Sequence, residues 1–232
     1  MDKSYSVDRI LCYFGLEKKY GVKVETVSTI PVARGMKSSS AAANAIALAT
    51  IAALKQNLDD QLIVNLGVDS ALDAKVSITG AFDDASASYF GGIVITDNIQ
   101  RKIVKRFELT EKPFVLFYVP SEKNYTIKSN ITRIKSVASV VKVAYNEALK
   151  GNYWAALTLN GLIYSSTLGY DPSPAIDALS AGALASGLSG TGPAVCAIVP
   201  EKKVTSVKES WTKLEGEIIE TRINTEKARI VG

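Results

Sequence analysis

The stretch PVARGMKSSSAAANAIALATIAAL, Pro31 to Leu54, limits what this chain can fold into more than any other. A glycine, a lysine and three consecutive serines run straight into an alanine-rich segment. Alanine has the best intrinsic helix propensity, and apolar residues recur through Ala42, Ile46, Ala49 and Ala53, three or four apart. Serine is a favoured N-cap, so the helix is predicted to begin within Ser38 to Ser40. The first N–H groups of a helix lack internal partners, and the helix dipole adds positive charge there. Gly35 lets the main chain turn, the small serines leave the amides accessible, and Lys37 adds a formal charge. Together they describe a phosphate site. An ordinary serine-capped core helix uses the same residues, and the helix alone does not separate the two readings.

The rest of the composition narrows the chemistry. The chain has 232 residues, 47% of them hydrophobic and 22% charged, as in ordinary globular proteins with ample core. The net charge of +4 suits anionic small molecules, whereas no basic cluster interleaved with aromatics argues for nucleic acid. The longest apolar run, Ala41 to Leu54, contains Asn44 and is too short to span a bilayer. The N-terminus lacks the apolar core of a signal peptide, and Cys12 and Cys196 form no metal-ligand pattern. A reducing, cytoplasmic setting is the simplest expectation. There is no histidine at all, which excludes Ser-His-Asp and Cys-His catalysis and histidine-based zinc sites. Acid–base chemistry must then come from carboxylates, lysines, tyrosines or bound metal.

Along the chain, Ser4 to Gly21 reads as a helix and the alternating VKVETVST as a strand. Further helices are predicted over Asp59–Ala74, Thr126–Leu149, Tyr153–Leu168, Ser173–Ala183 and Lys203–Leu214. Strands are predicted at Gly92–Thr96, in KPFVLFYVP, after the GLSGTGP turn and at Glu217–Ile223. Strands mixed with helix clusters indicate an α+β protein, with a boundary in LTEK giving domains 1–111 and 112–232.

Two more segments carry candidate chemistry. In GAFDDASASYFGG, Gly80 to Gly92, the paired Asp83 and Asp84 lie among small residues that leave room for a ligand, although aspartate is also a common helix N-cap. In SGLSGTGPAV, Ser186 to Val195, three glycines allow the backbone to approach a ligand closely, although a structural hairpin turn has the same make-up. The P-loop pattern fails, because Leu188 stands where lysine is required, and no G-x-G-x-x-G is present.

The three segments, in this order, resemble the motifs of the GHMP small-molecule kinases (galactose, homoserine, mevalonate and phosphomevalonate kinases). Pro31-x-x-x-Gly35-Met36-Lys37-Ser38-Ser39-Ser40 is similar to their phosphate loop and GLSGTGPA to their third motif. The lysine in GMKSSSAAANA, and TGAFDDASASYFGGIVITDN, resemble the archaeal shikimate kinase branch. The resemblance implies a ribosomal-S5-domain-2-like N-terminal half and a ferredoxin-like C-terminal half. It implies ATP with its phosphates over the loop, bound by Arg34, Gly35, Met36, Lys37, Ser38, Ser39 and Ser40 together with Gly190, Thr191 and Gly192. It places the base or orienter of the accepting hydroxyl on Asp84, with Asp83 as the alternative, and Mg2+ on Ser39 and Asp73. Arg222 is a further candidate substrate contact. Family members carry an opening strand and a first motif ahead of the segment matched here, so the first domain is expected to lack that strand.

The expected function is ATP-dependent phosphorylation of the 3-hydroxyl of shikimate, without nucleic-acid or membrane partners. The alternatives are a kinase of another small alcohol, of homoserine or mevalonate type, and a nucleotide-binding protein of this fold without activity.

Overall fold

The computed structural model describes residues 4–32, 34–74, 80–121 and 131–231. The chain divides into two compact units. The first comprises residues 1–30, 37–109 and 224–232, and the second residues 31–36 and 110–223. The chain thus passes between units four times, where the sequence suggests a single boundary. The expected helix start at 126–130 lies outside the described residues.

The first unit contains α1 (Ser4–Tyr13), α2 (Ser38–Ala53), α3 (Asp60–Asp73), α4 (Phe82–Phe90) and the hairpin of β1 (Ile93–Asp97) and β2 (Lys102–Phe107). Its core gathers Ile10, Ile51, Val64, Val68, Phe82 and Tyr89 from the four helices. Phe82, the first residue of α4, is fully buried, which is worth about 1.5–3 kcal/mol and anchors that helix end. Asp59, read as the start of this helix, is its N-cap, its carboxylate accepting from Gln61 N. The C-terminal residues strap α4, since Gly92 N donates to the Asn224 carbonyl and Ala228 N to the Tyr89 carbonyl.

Two expectations fail here. The first helix stops at Tyr13 rather than Gly21, because Gly15 adopts a φ of 66°, outside the helical region. VKVETVST forms no strand: it has the alternation, but none of the described segments pairs with it, and a strand is held by its ladder. The hairpin strand β2 is absent from the sequence reading, since KIVKRF exposes four of its six residues and carries no clean alternation.

In the second unit β3 (Phe114–Pro120) is followed by α5 (Ile131–Ser136), α6 (Ala138–Lys150), α7 (Tyr153–Leu168) and α8 (Ser173–Ser180). The hairpin β4 (Ala185–Leu188) and β5 (Val195–Val199), α9 (Val204–Trp211) and β6 (Gly216–Arg222) complete it. The sheet order β4-β5-β3-β6, antiparallel throughout, is that of a split βαβ, ferredoxin-like arrangement. The two faces of β3 serve two clusters. Leu116 and Tyr118 pack with Ala175, Val207 and Trp211, while Val115 and Phe117 pack with Trp154 and Leu157. Gly161 of α7 lies against Gly187 of β4, where a Cβ on Gly161 would come within 2.4 Å of the Gly187 Cα. Arg222 serves this unit too: its guanidinium sits 3.7 Å from the Phe114 ring centre and donates to the Lys112 carbonyl.

Candidate active site

α2 begins at Ser38, within the predicted range, but a serine does not cap it. The residue before the helix is Lys37, in the left-handed region at φ 56°, and its side chain makes no capping hydrogen bond. Ser38, Ser39 and Ser40 form the first turn. The Lys37 carbonyl accepts from Ser40 N at 3.1 Å and Ala41 N at 3.4 Å. No acceptor among the described residues takes the N–H groups of Ser38 or Ser39. A left-handed residue followed by helical ones turns successive amides toward one side, which suits an anion. A serine cap would have closed that side. The serines contribute by being small, not by capping.

The same lysine reaches the second motif. Lys37 Nζ lies 2.8 Å from Asp84 Oδ2, with the lysine side chain 33% exposed and the aspartate 17%. Asp84 is the third residue of α4, whose first turn is tied to α2 by the buried Asn44: its Nδ2 donates to the Ala85 carbonyl at 2.8 Å. Gly67 of α3 lets that helix come close, its missing Cβ lying 3.2 Å from Asn44 Oδ1. Burial raises the Asp84 pKa, and the charge of Asp83 adds to the rise, while Lys37 opposes both. Asp83, one residue earlier, is exposed and points elsewhere, its Oδ1 accepting from Asn98 Nδ2 at 2.9 Å. The two aspartates therefore have different partners and different solvation. Asn44 was visible in the sequence only as an amide interrupting an apolar run, and Asn98 only as the end of the resembling segment TDN.

Asp73 has a different partner. It ends α3, and its carboxylate pairs with Arg9 of α1 at 2.9 Å. No hydrogen bond or ion pair among the described residues joins it to Ser39, Asp83 or Asp84. Among the described residues no group of three or more acidic or cysteine side chains is arranged to hold a metal ion. In this arrangement the Asp73 carboxylate is engaged by the Arg9 guanidinium, which a cation at Asp73 would have to replace.

In the second unit, the front of the serine loop meets the glycine-rich turn. A Cβ on Gly35, at φ 79°, would lie 2.7 Å from the Gly192 carbonyl oxygen. Ser189 Oγ donates to the Gly35 carbonyl at 3.0 Å, and Ala194 N donates to the Arg34 carbonyl at 3.3 Å. The Arg34 guanidinium donates to the carbonyls of Pro120 and Ser121. Gly190 and Gly192 have φ of 59° and 76°, and Gly190 and Thr191 are exposed at the tip of the turn. Met36 is half-buried in the same segment. Only glycine fits this close approach and this φ, so Gly35 and Gly192 are read as packing requirements.

The chain is similar to known proteins. Residues 6–92 match the GHMP kinases N terminal domain and residues 172–216 the GHMP kinases C terminal domain. A shikimate kinase of Methanothermobacter thermautotrophicus is 43% identical over 96% of this chain and 78% of its own. One from Pyrococcus furiosus is 44% identical over 90% of this chain and 74% of its own. In three dimensions, the mevalonate kinase of Methanococcus jannaschii superposes with a TM-score of 0.72 at 20% identity, covering 96% of this chain and 74% of that one. A homoserine kinase of Cytophaga hutchinsonii gives 0.70 at 18% identity, covering 97% and 76%. The chain belongs to the GHMP kinases.

Proposed function

We propose that this chain transfers the γ-phosphoryl group of ATP to the 3-hydroxyl of shikimate. The observation that carries the reading is the Lys37–Asp84 contact at the uncapped start of α2, which brings an anion site and a carboxylate base to one place. The names of the relatives support the substrate. The open amides of Ser38 and Ser39, with Lys37 beside them, fit a phosphate group. In the second unit, Arg34, Gly35 and Met36 with the Gly190–Gly192 turn are assigned to nucleotide binding as well.

Phosphoryl transfer asks the protein for position and charge rather than covalent chemistry. The shikimate oxygen attacks the γ-phosphorus while the bond to the β-phosphate oxygen breaks, and that oxygen keeps the electron pair. Asp84 takes the hydroxyl proton. Its raised pKa brings it nearer to working pH than an ordinary carboxylate, and such a base contributes about 10²–10⁴-fold. Lys37 keeps the carboxylate charged before transfer and offers positive charge to the phosphate. Ser39 and Asp73 are the residues assigned to Mg2+, which would neutralise charge on the phosphates; Asp73 would exchange its Arg9 partner for the ion.

The test is a coupled assay of phosphate transfer with shikimate, homoserine and mevalonate as acceptors. Turnover confined to shikimate, and lost in Asp84→Asn, is expected. Turnover on homoserine or mevalonate instead would move the substrate assignment, and binding of nucleotide without turnover on any acceptor would remove the enzymatic reading.

A further inference from the structure

The segment TDN at the end of β1 is the part of the second motif that the mechanism above leaves unused. At this end the β1–β2 ladder slips by one residue between Ile95 and Thr96, a bulge of the kind that re-aims side chains. Beyond it, Asp97 Oδ1 accepts from Ile99 N at 3.0 Å and Gln100 N at 2.9 Å, which fixes the turn. Within that turn Thr96 Oγ1 donates to Asn98 Oδ1 at 2.8 Å. The oxygen of the amide is thereby engaged, and its Nδ2 donates to Asp83 Oδ1 at 2.9 Å. A relay of two hydrogen bonds thus runs from the bulged strand to the carboxylate next to the proposed base.

Its consequence follows from the charges. Among the described residues Lys37 is the cation paired with Asp84, at 2.8 Å, and Asp83 is the residue next to that aspartate in the helix. An Asp83 carboxylate free to rotate would compete for that ammonium, and it would bring a second negative charge toward the transferring phosphate. Asn98 offers Asp83 a neutral donor on the other side. We propose that Asn98, oriented by Thr96, is a positioning residue: it holds Asp83 away and reserves Lys37 for Asp84. The inference rests on Asp84 being the proton acceptor.

The experiment is a double-mutant cycle on the full chain with Asn98→Ala, Asp83→Asn and their combination, plus Thr96→Val. Asn98→Ala is expected to lower kcat by about three- to tenfold with both KM values nearly unchanged, a coupling in the range of groups sharing one hydrogen-bond network. Thr96→Val should lower kcat in the same direction by less. With Asp83→Asn in place, the carboxylate that Asn98 restrains is gone, so adding Asn98→Ala should cause no further loss. Thermal melts accompany each variant. A kcat unchanged in Asn98→Ala, or an equal loss from Asn98→Ala in both backgrounds, overturns the proposal. The base assignment is decided separately by Asp84→Asn alone: full turnover there removes Asp84, whatever the cycle shows, whereas a dead Asp84→Asn with a flat cycle removes only Asn98.

Discussion

Lys37 Nζ and Asp84 Oδ2 stand 2.8 Å apart, and each belongs to the opening of a different helix. The lysine precedes α2 in a left-handed conformation, and the aspartate is in the first turn of α4. Two helix starts thus contribute opposite charges to one point. The hydrogen bond that Asn44 Nδ2 donates to the Ala85 carbonyl ties the two helices together behind that point. An anion arriving at α2 would meet a cation already held in place by the Asp84 carboxylate.

Asp84→Asn should separate activity from stability. Burial and the charge of Asp83 hold the Asp84 pKa above its ordinary value of 3.8 despite Lys37. The folded chain therefore binds this proton more tightly than the unfolded one. The corresponding stability is fully present below the unfolded pKa and is lost as pH rises through the raised folded value. The asparagine variant does not titrate. Its Tm at neutral pH is expected to equal or exceed that of wild type, the difference closing and then reversing as the solution is acidified, while kcat collapses. A variant that melts well below wild type at neutral pH would show that the Lys37 pair outweighs desolvation.

Asp60 predicts the opposite sign. Burial raises its pKa, but the hydrogen bonds from Lys227 and Tyr89 outweigh burial and leave it lowered. A lowered folded pKa gives stability that is present above the unfolded value and lost as pH falls through the folded one. Asp60→Asn should therefore melt below wild type at neutral pH, and the two should converge in acid. Because Lys227 lies in the strap over α4, faster proteolysis of the C-terminal residues should accompany the loss. Parallel melting curves at every pH would rule out the carboxylate as the cause.

Most helices of the second unit were legible because their apolar periodicity and flanking glycines and prolines are local signals, although the single helix read over Thr126–Leu149 is interrupted at Val137 between α5 and α6. Tyr153–Leu168 emerges as read, and Ser173 opens α8 as expected. The hairpin strand β2 and the missing strand at VKVETVST are failures of one kind, since pairing is decided by a partner that the local sequence does not name. At the site, residue types were legible and orientations were not. Composition gave two adjacent aspartates, but only the fold turns Asp83 to Asn98 and Asp84 to Lys37. Asp73 shows the same limit, because its pairing with Arg9 depends on how α1 lies against α3.

Gly161→Ala tests the close approach of α7 to β4. The new Cβ would sit 2.4 Å from the Gly187 Cα and 2.7 Å from the Leu188 nitrogen, both backbone atoms that cannot rotate away. Overpacking of this kind costs about 1–3 kcal/mol, occasionally more. A clear fall in Tm is expected, with Gly187→Ala similar because its Cβ would lie 2.7 Å from the Gly161 Cα. An unchanged Tm in either variant would mean that the helix and the strand can separate without loss.

Lys37 itself carries two separable contributions, a charge and a backbone conformation. At φ 56° a side chain is strained relative to glycine by about 1 kcal/mol. Lys37→Met keeps that strain and removes the charge, leaving Asp84 half-buried without its cation. Lys37→Gly removes the charge and relieves the strain, although it also frees the unfolded chain. Both variants should lose affinity for ATP and turn over slowly. Lys37→Met should be the less stable of the two at neutral pH, and acidification should narrow its deficit against wild type as Asp84 becomes protonated. Side-by-side melts and ATP titrations read the two contributions separately. If Lys37→Gly binds ATP as tightly as wild type, the amides of α2 hold the phosphate without the lysine, and its role reduces to pairing with Asp84.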